Sequence, residues 1–324
     1  MLDKLMTLLG KATQLAPEYR PEFCIAVKKS VGACSSCRDV CPHEAIAISQ
    51  QVVIDEIDCT GCGLCVEICP SQALSASMRL RPDGAVKCSQ VEGSAQTVTC
   101  LAKLQPTDLL RVGVGHEHVE MVRGDCDNCP VGAHQVVPAI GRIAKSAEAL
   151  GAFRKRALTI DLRRAPELSV EEKSSSLSRR DLFRLGSRGL RSGASQALAM
   201  YEFGENGDRT LPNELKHQYG WLKQAKPPGD AIVPWRLPRV AEACILCPVC
   251  TNVCPTRAFE RELDPPEQGG IRLWLSPERC NGCDACVASC PVKVITLDDN
   301  VTWDELHNPF VVAKREPVRR SVPT

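Results

Sequence analysis

Twenty cysteines lie in a chain of 324 residues, and their spacing is regular. Cys244, Cys247, Cys250 and Cys254 stand in CILCPVCTNVCP and are followed by Pro255. Cys280, Cys283, Cys286 and Cys290 repeat the order and are followed by Pro291. Both stretches read C-x2-C-x2-C-x3-C-P. Thiolates select zinc, copper or iron–sulfur clusters. Three thiolates two residues apart sit on one tight loop that wraps a cubane corner by corner, whereas zinc usually takes C-x2-C pairs separated by a longer loop. The three-residue step carries the fourth thiol nearly a helical turn away, towards a neighbouring cubane, and proline then turns the chain into a strand. The spacing assigns one 4Fe–4S cluster to Cys244, Cys247, Cys250 and Cys290, and another to Cys280, Cys283, Cys286 and Cys254.

The unit recurs near the N-terminus. CTGCGLCVEICP supplies Cys59, Cys62, Cys65 and Cys69 ahead of Pro70. Its partner, CSSCRDVCP, supplies only Cys34, Cys37 and Cys41, with Val31 where a first cysteine is expected. Cys24, upstream in EFCIAVKKSVGAC, is placed to reach back. The expected sets are Cys24, Cys34, Cys37 and Cys69, and Cys59, Cys62, Cys65 and Cys41. The alternative leaves Cys24 as a buried strand cysteine beside a three-iron cluster.

Short strands must hold these loops. EAIAIS and VVIDEID precede Cys59, and RAFEREL and GIRLWLS precede Cys280; each pair reads as a hairpin joining two cysteine loops. On these motifs and hairpins, residues 23–80 and 236–300 resemble two-cluster bacterial ferredoxins. The resemblance implies two strand pairs, two short helices and transfer of single electrons.

A fifth group is spread out: Cys88 in AVKCSQ, Cys100 in QTVTCLAKL, and Cys126 and Cys129 in MVRGDCDNCPVG. QTVT, HVEMV and ALTIDL read as strands, with helices in PTDLLRVGV and GAHQVVPAIGRIAKSAEAL. Strand–helix alternation predicts a small parallel sheet. Cys100, Cys126 and Cys129 follow strands and would gather at its carboxyl edge, where nearby helix N-termini would lower the thiol pKa values. Residues 84–165 resemble the delta subunit of methyl-viologen-reducing hydrogenases, on TCLAKL, a helix and VEMVRGDC. That resemblance implies a 2Fe–2S cluster passing electrons to a flavin subunit of heterodisulfide reductase. Structural zinc or a redox-active dithiol are the other readings of these cysteines. His116 and His118 flank Glu117 nearby, as alternative ligands or as a turn ahead of a strand.

The remainder reads as connectors. Leu2, Leu5, Met6 and Leu9 mark one face of an N-terminal helix over 1–22. Residues 166–235 contain no cysteine and read as a helical linker, either a solvated tether or a docked helix. Within it, SRRDLFRLGSRGL resembles a twin-arginine signal, but it lies deep in the chain and Arg184, Arg188 and Arg191 interrupt the apolar run. Ser178 and Asp181 instead start a helix, and PNELKHQYGWLKQAKPPGD is a further helix ending at Pro227. Residues 301–324 form a C-terminal arm with few helix or strand signals.

A formal charge of +1 carries no nucleic-acid footprint, and there is no transmembrane run. GVG at Gly113 lacks the rest of a dinucleotide fingerprint. Abundant cysteine without a secretory signal points to a reducing cytoplasm. The expected fold is α+β, two ferredoxin-like dicluster domains flanking a small α/β parallel-sheet domain. The expected cofactors are four 4Fe–4S clusters and one further iron–sulfur cluster, 2Fe–2S, with zinc as the alternative. No catalytic constellation stands out, so the chain reads as an electron-transfer subunit. Its partners would be a molybdenum or tungsten formate dehydrogenase, a nickel–iron hydrogenase or a flavin-containing heterodisulfide-reductase-like subunit. The alternative is a reductase acting on a small molecule or disulfide at the middle-domain thiols.

Overall fold

The structure, a computed structural model, describes residues 16–28, 34–76, 78–165, 211–263 and 270–315. The stretch with Leu2, Leu5, Met6 and Leu9, and the SRRDLFRLGSRGL segment, lie outside the described residues.

The first cysteine-rich region contains β1 (Glu18–Tyr19), α1 (Ser36–Asp39), β2 (Ile46–Ile48), β3 (Val52–Ile54), α2 (Leu64–Ile68) and β4 (Leu74–Ser75). β2 and β3 form the expected antiparallel hairpin, with Ile46 opposite Ile54. Ile46 and Val52 are buried while Ala47 and Val53 face out, the period of two that a half-buried strand requires. β1 pairs antiparallel with β4 and precedes residue 23, the expected start of this region. A two-residue strand shows no periodicity, so only pairing reveals it.

The middle region contains β5 (Ala85–Cys88), β6 (Gln96–Val98), α3 (Pro106–Val112), β7 (His118–Arg123), α4 (Val136–Gly151) and β8 (Thr159–Arg164). The four strands are parallel in the order β6-β5-β7-β8. AVKC, which carries no strand signal by length, is thus a central strand. The chain leaves β5 to one side and returns to the other, so a topological switch falls at its carboxyl end, where open α/β sheets bind ligands. α3 starts with Pro106 in its first turn and a reciprocal cap between Gln105 and Asp108. α4 buries Val136, Ala139, Ile140, Ile143, Ala147 and Leu150, one stripe at helical spacing.

The last region contains α5 (Asn213–Ala225), β9 (Ile232–Val233), β10 (Leu237–Val240), α6 (Val249–Val253), β11 (Phe259–Leu263), β12 (Ile271–Leu275), α7 (Ala285–Ser289), β13 (Ile295–Asp298), β14 (Val301–Thr302), α8 (Trp303–Leu306) and β15 (Phe310–Arg315). β11 and β12 form the expected hairpin, and β10 pairs with β13. One expectation is corrected here, and one open alternative is decided. The tail from 301 is not a bare arm through Arg315: β14 pairs with β9, and β15 adds a third strand beside β12. β12 is an otherwise open edge, and pairing satisfies its backbone. Of the two readings of the linker, the docked helix is the one present in its described part. α5 buries Leu215 and Leu222, and its Glu214 is fully buried against α3. Thr107 donates to Glu214 through its backbone N–H at 3.2 Å and through its hydroxyl, so the carboxyl caps α3. Burial pushes Glu214 up to about 7 and Asp108 up to about 6. No described helix is long and apolar enough to cross a membrane.

Candidate metal centres

Three voids in the cysteine-rich regions are each ringed by four thiols. Cys24, Cys34, Cys37 and Cys69 surround about 310 Å³ of space between atoms. Cys41, Cys59, Cys62 and Cys65 surround about 450 Å³. Cys254, Cys280, Cys283 and Cys286 surround about 320 Å³. In each, the fourth thiol comes from the neighbouring motif, across the pair of short helices. Cys244 and Cys247 lie beside Cys250, and Cys290 is buried in the same core. None of the twenty cysteines is paired in a disulfide.

Local backbone explains how the loops are shaped. Glu44, Gln72, Arg257 and Lys293 each stand third after a motif's last cysteine, and all take the left-handed conformation, with φ of 52°, 55°, 55° and 52°. Each donates its N–H back to that cysteine's carbonyl, at 3.1–3.4 Å. The residue before the second cysteine is also left-handed in the three complete motifs: Gly61 (70°), Leu246 (56°) and Gly282 (65°). These reversals keep the chain wrapped around a small centre.

Cys24 does not lie on a strand. It closes a 3-10 turn, Pro21–Phe23, donating its N–H to the Pro21 carbonyl at 3.1 Å. Cys280 closes the turn Pro277–Arg279 in the same way, with its N–H on the Pro277 carbonyl at 2.9 Å. PEFC and PERC are therefore one local structure. In the sequence, residues 25–33 separate that turn from the loop that begins at Cys34. The repeated Pro-Glu-x-Cys was the sequence signal for this equivalence.

Backbone and side-chain donors face the sulfurs. Ala73 N–H donates to Cys69 Sγ at 3.3 Å, and Ala258 N–H to Cys254 Sγ at 3.2 Å. The buried hydroxyls of Ser71 and Thr256 stand 3.8 and 3.6 Å from the same two sulfurs. Leu246 N–H donates to Cys244 Sγ at 3.4 Å. Tyr19 lines the void of Cys24, and its buried hydroxyl faces that thiol. Donors aimed at sulfur suit thiolates that hold a cluster, because such hydrogen bonds favour the more negative state. Burial, then mutual repulsion, pushes the Cys37 thiol up to about 11 and that of Cys286 higher still.

In the middle region, Cys88 ends β5, Cys100 follows β6, and Cys126 and Cys129 lie in the turn after β7. Cys126 feels the charge of Cys88 and Cys129, and Cys100 that of Cys126 and Cys129, so all four gather at the carboxyl edge. Gly124 N–H donates to Cys88 Sγ at 3.2 Å, and Val131 N–H to Cys129 Sγ at 3.4 Å. One expectation fails. The Cys100 and Cys126 thiols are raised rather than lowered: burial pushes Cys100 up to about 12, and Arg123 only partly offsets burial at Cys126. Of the two readings of His116 and His118, the turn ahead of a strand is the one present: they stand at the amino edge of the sheet, where His116 Nε2 meets the Pro82 carbonyl at 3.3 Å. Among the described residues, no three His, Cys, Asp or Glu side chains converge tightly enough for a single metal ion.

The middle region packs on the first. Thr60 Oγ1 and His43 Nε2 both meet the Val131 carbonyl, at 2.5 and 3.0 Å. A Cβ on Gly63 would lie 2.2 Å from Lys103 Cα, so glycine is required for this approach. Lys103 brings its charge to Cys59, Cys62 and Cys65, and Arg142 holds Glu67 through two bonds of 2.7 Å.

Residues 243–298 match the 4Fe-4S dicluster domain family and residues 52–75 the 4Fe-4S binding domain family. The chain carries two 4Fe–4S ferredoxin-type domains, the class of iron–sulfur proteins that transfer electrons. A ferredoxin of Saccharopolyspora erythraea is 32% identical over 98 residues, which cover 26% of this chain and 86% of that protein. The chain belongs to the ferredoxin family. Ferredoxin-type protein NapF of Haemophilus influenzae is 41% identical over 56 residues, 17% of this chain and 30% of that protein. The polyferredoxin-like subunit of an aliphatic sulfonate oxidoreductase of Pyrococcus furiosus is 40% identical over 57 residues, again 17% of this chain and 30% of that one. The match thus spans under a third of these two relatives. No solved structure matches the chain significantly.

Proposed function

We propose that this chain is the electron-transfer subunit of a multi-subunit oxidoreductase, relaying single electrons between partner redox subunits. The observation that carries the reading is the cross-ligated arrangement: three voids, each ringed by four thiols from two motifs. On this reading Cys24, Cys34, Cys37 and Cys69 hold one 4Fe–4S cluster, and Cys41, Cys59, Cys62 and Cys65 a second. Cys254, Cys280, Cys283 and Cys286 hold a third, and Cys244, Cys247, Cys250 and Cys290 a fourth. Cys88, Cys100, Cys126 and Cys129 hold the fifth group, a 2Fe–2S cluster. The clusters supply one-electron chemistry; the protein holds them dry, orders them and sets their potentials through donors and charge.

Partner subunits of the kinds that the sequence resemblance implies, a formate dehydrogenase, a nickel–iron hydrogenase or a heterodisulfide-reductase-like flavoprotein, would give and take the electrons. The Pyrococcus furiosus relative, named as a polyferredoxin-like subunit of an oxidoreductase, supports that placement. Anaerobic iron and zinc analysis with redox-titrated paramagnetic resonance tests the reading. About 18 irons per chain and several one-electron centres are expected. Fewer than about 12 irons in fully loaded protein, or stoichiometric zinc, would overturn it.

A further inference from the structure

The two ferredoxin-type domains meet where no cysteine motif marks a contact. Asn281 Nδ2 donates to the Ser71 carbonyl at 3.0 Å. Asn281 lines the void of Cys254, Cys280, Cys283 and Cys286, and Ser71 lines the void of Cys24, Cys34, Cys37 and Cys69. One hydrogen bond therefore joins the walls of two thiol voids from different domains. Beside it, Ile25, Val253 and Ala285 are buried together, with Cys34 and Cys283 packed against them. Lys28 Nζ donates to the Val253 carbonyl at 3.3 Å. The Lys28 charge acts on Cys254 and Cys283 from one domain and on Cys24 from the other, with Arg257 opposing it.

A half-buried cation between two rings of thiols is costly unless negative charge compensates it. Each loaded cubane with its four thiolates carries about −2 when oxidised and one more charge when reduced. Lys28 is held where both charges are felt.

We infer that Lys28 is a positioning residue at an inter-domain junction, a cation shared by the groups held at Cys24, Cys34, Cys37 and Cys69 and at Cys254, Cys280, Cys283 and Cys286. The inference rests on the ligand sets proposed above. It also orders the thiol sets into one series. The middle-domain set adjoins Cys62 through Cys100, and the first domain's two sets adjoin through Cys65 and Cys37. The junction follows, and Cys286 then adjoins Cys250 in the outermost set. The middle domain and the outer set of the second domain are the two ends.

The test uses the full-length chain, loaded with iron under anaerobic conditions and titrated by paramagnetic resonance. Ser71→Ala and Thr256→Val identify the two centres, since each removes a hydroxyl facing one ligand sulfur. Lys28→Met is expected to disfavour reduction of those same two centres about tenfold, about 59 mV for a one-electron couple, and to leave the others within a third of that. Lys28→Arg should keep both near the wild-type values. At full reduction, the wild-type protein should also show magnetic coupling between the two marked centres. Unmoved potentials in iron-replete Lys28→Met, or a shift confined to other centres, would overturn the inference. Absence of coupling between the marked centres would overturn it even if Lys28→Met failed to load. Wild-type protein that never takes up the expected iron would instead overturn the ligand sets themselves.

Discussion

The two ferredoxin-type domains solve one problem with different sequences. In the second, every motif is contiguous. In the first, residues 25–33 separate the turn that carries Cys24 from the loop that carries Cys34. Yet both place a cysteine at the end of a proline-led 3-10 turn, and both repeat the left-handed residue third after the last cysteine. Both also put a buried hydroxyl beside the sulfur of a motif's last cysteine, Ser71 beside Cys69 and Thr256 beside Cys254. They differ at the start of the helix that follows the second cysteine. Gly63 in the first domain has φ of 88° and abuts Lys103, whereas Asp284 in the second has φ of 68° and is exposed. What is shared is the geometry at the sulfurs. What varies is set by what each loop packs against.

The hardest test of the equivalence is to remove the ligands that it pairs. Cys24→Ala and Cys280→Ala should each cost about four irons, or convert one cubane to a three-iron centre with its own resonance signal. Iron analysis of both variants checks this. An unchanged iron count and spectrum in Cys24→Ala alone would break the equivalence and return Cys24 to a packing role.

Next comes the contrast between Gly63 and Asp284. Gly63→Ala forces a Cβ to within 2.2 Å of Lys103 Cα at a strained φ, and should destabilise the protein by roughly 2–4 kcal/mol. Asp284→Gly should be neutral or stabilising by up to ~1 kcal/mol, because glycine removes left-handed strain at an exposed position. Denaturation of the loaded proteins measures both. A benign Gly63→Ala would mean that the middle domain does not press on this loop.

Ser71→Ala and Thr256→Val should lower the potentials of their own centres by similar amounts, about 0.5–1.5 kcal/mol or roughly 20–60 mV, since each loses one donor to sulfur. Unequal shifts would show that the two hydroxyls are not equivalent. The smallest effect is expected at the shared left-handed residues. Glu44→Gly and Arg257→Gly should each change stability by under about 1 kcal/mol, relief of strain being offset by the entropy of the unfolded chain.

Much of the site was legible because cluster ligation is largely a local problem. Spacings of two and three residues encode the shape of a loop. The motifs at Cys59 and Cys280, the hairpins between them and the helices over Pro106–Val112 and Val136–Gly151 follow from period, proline and turn chemistry. The sequence by itself determined which thiols sit on which loop. It also supported the expectation that Cys24 replaces the missing first ligand, but not why it can.

Tertiary structure decided the remainder. The equivalence of PEFC and PERC is a matter of backbone shape. AVKC is a strand because neighbours on both sides pair with it, and Phe310–Arg315 is a strand because β12 leaves an open edge. α5 docks because a buried carboxyl can cap α3 from 107 residues away along the chain. Burial raises the Cys100 and Cys126 thiols, an effect of packing that no local spacing encodes. The meeting of Lys28 with Val253 spans a sequence separation of 225 residues, and no local pattern encodes it. Local spacing prescribes a ring of sulfurs; only packing places one ring beside the next.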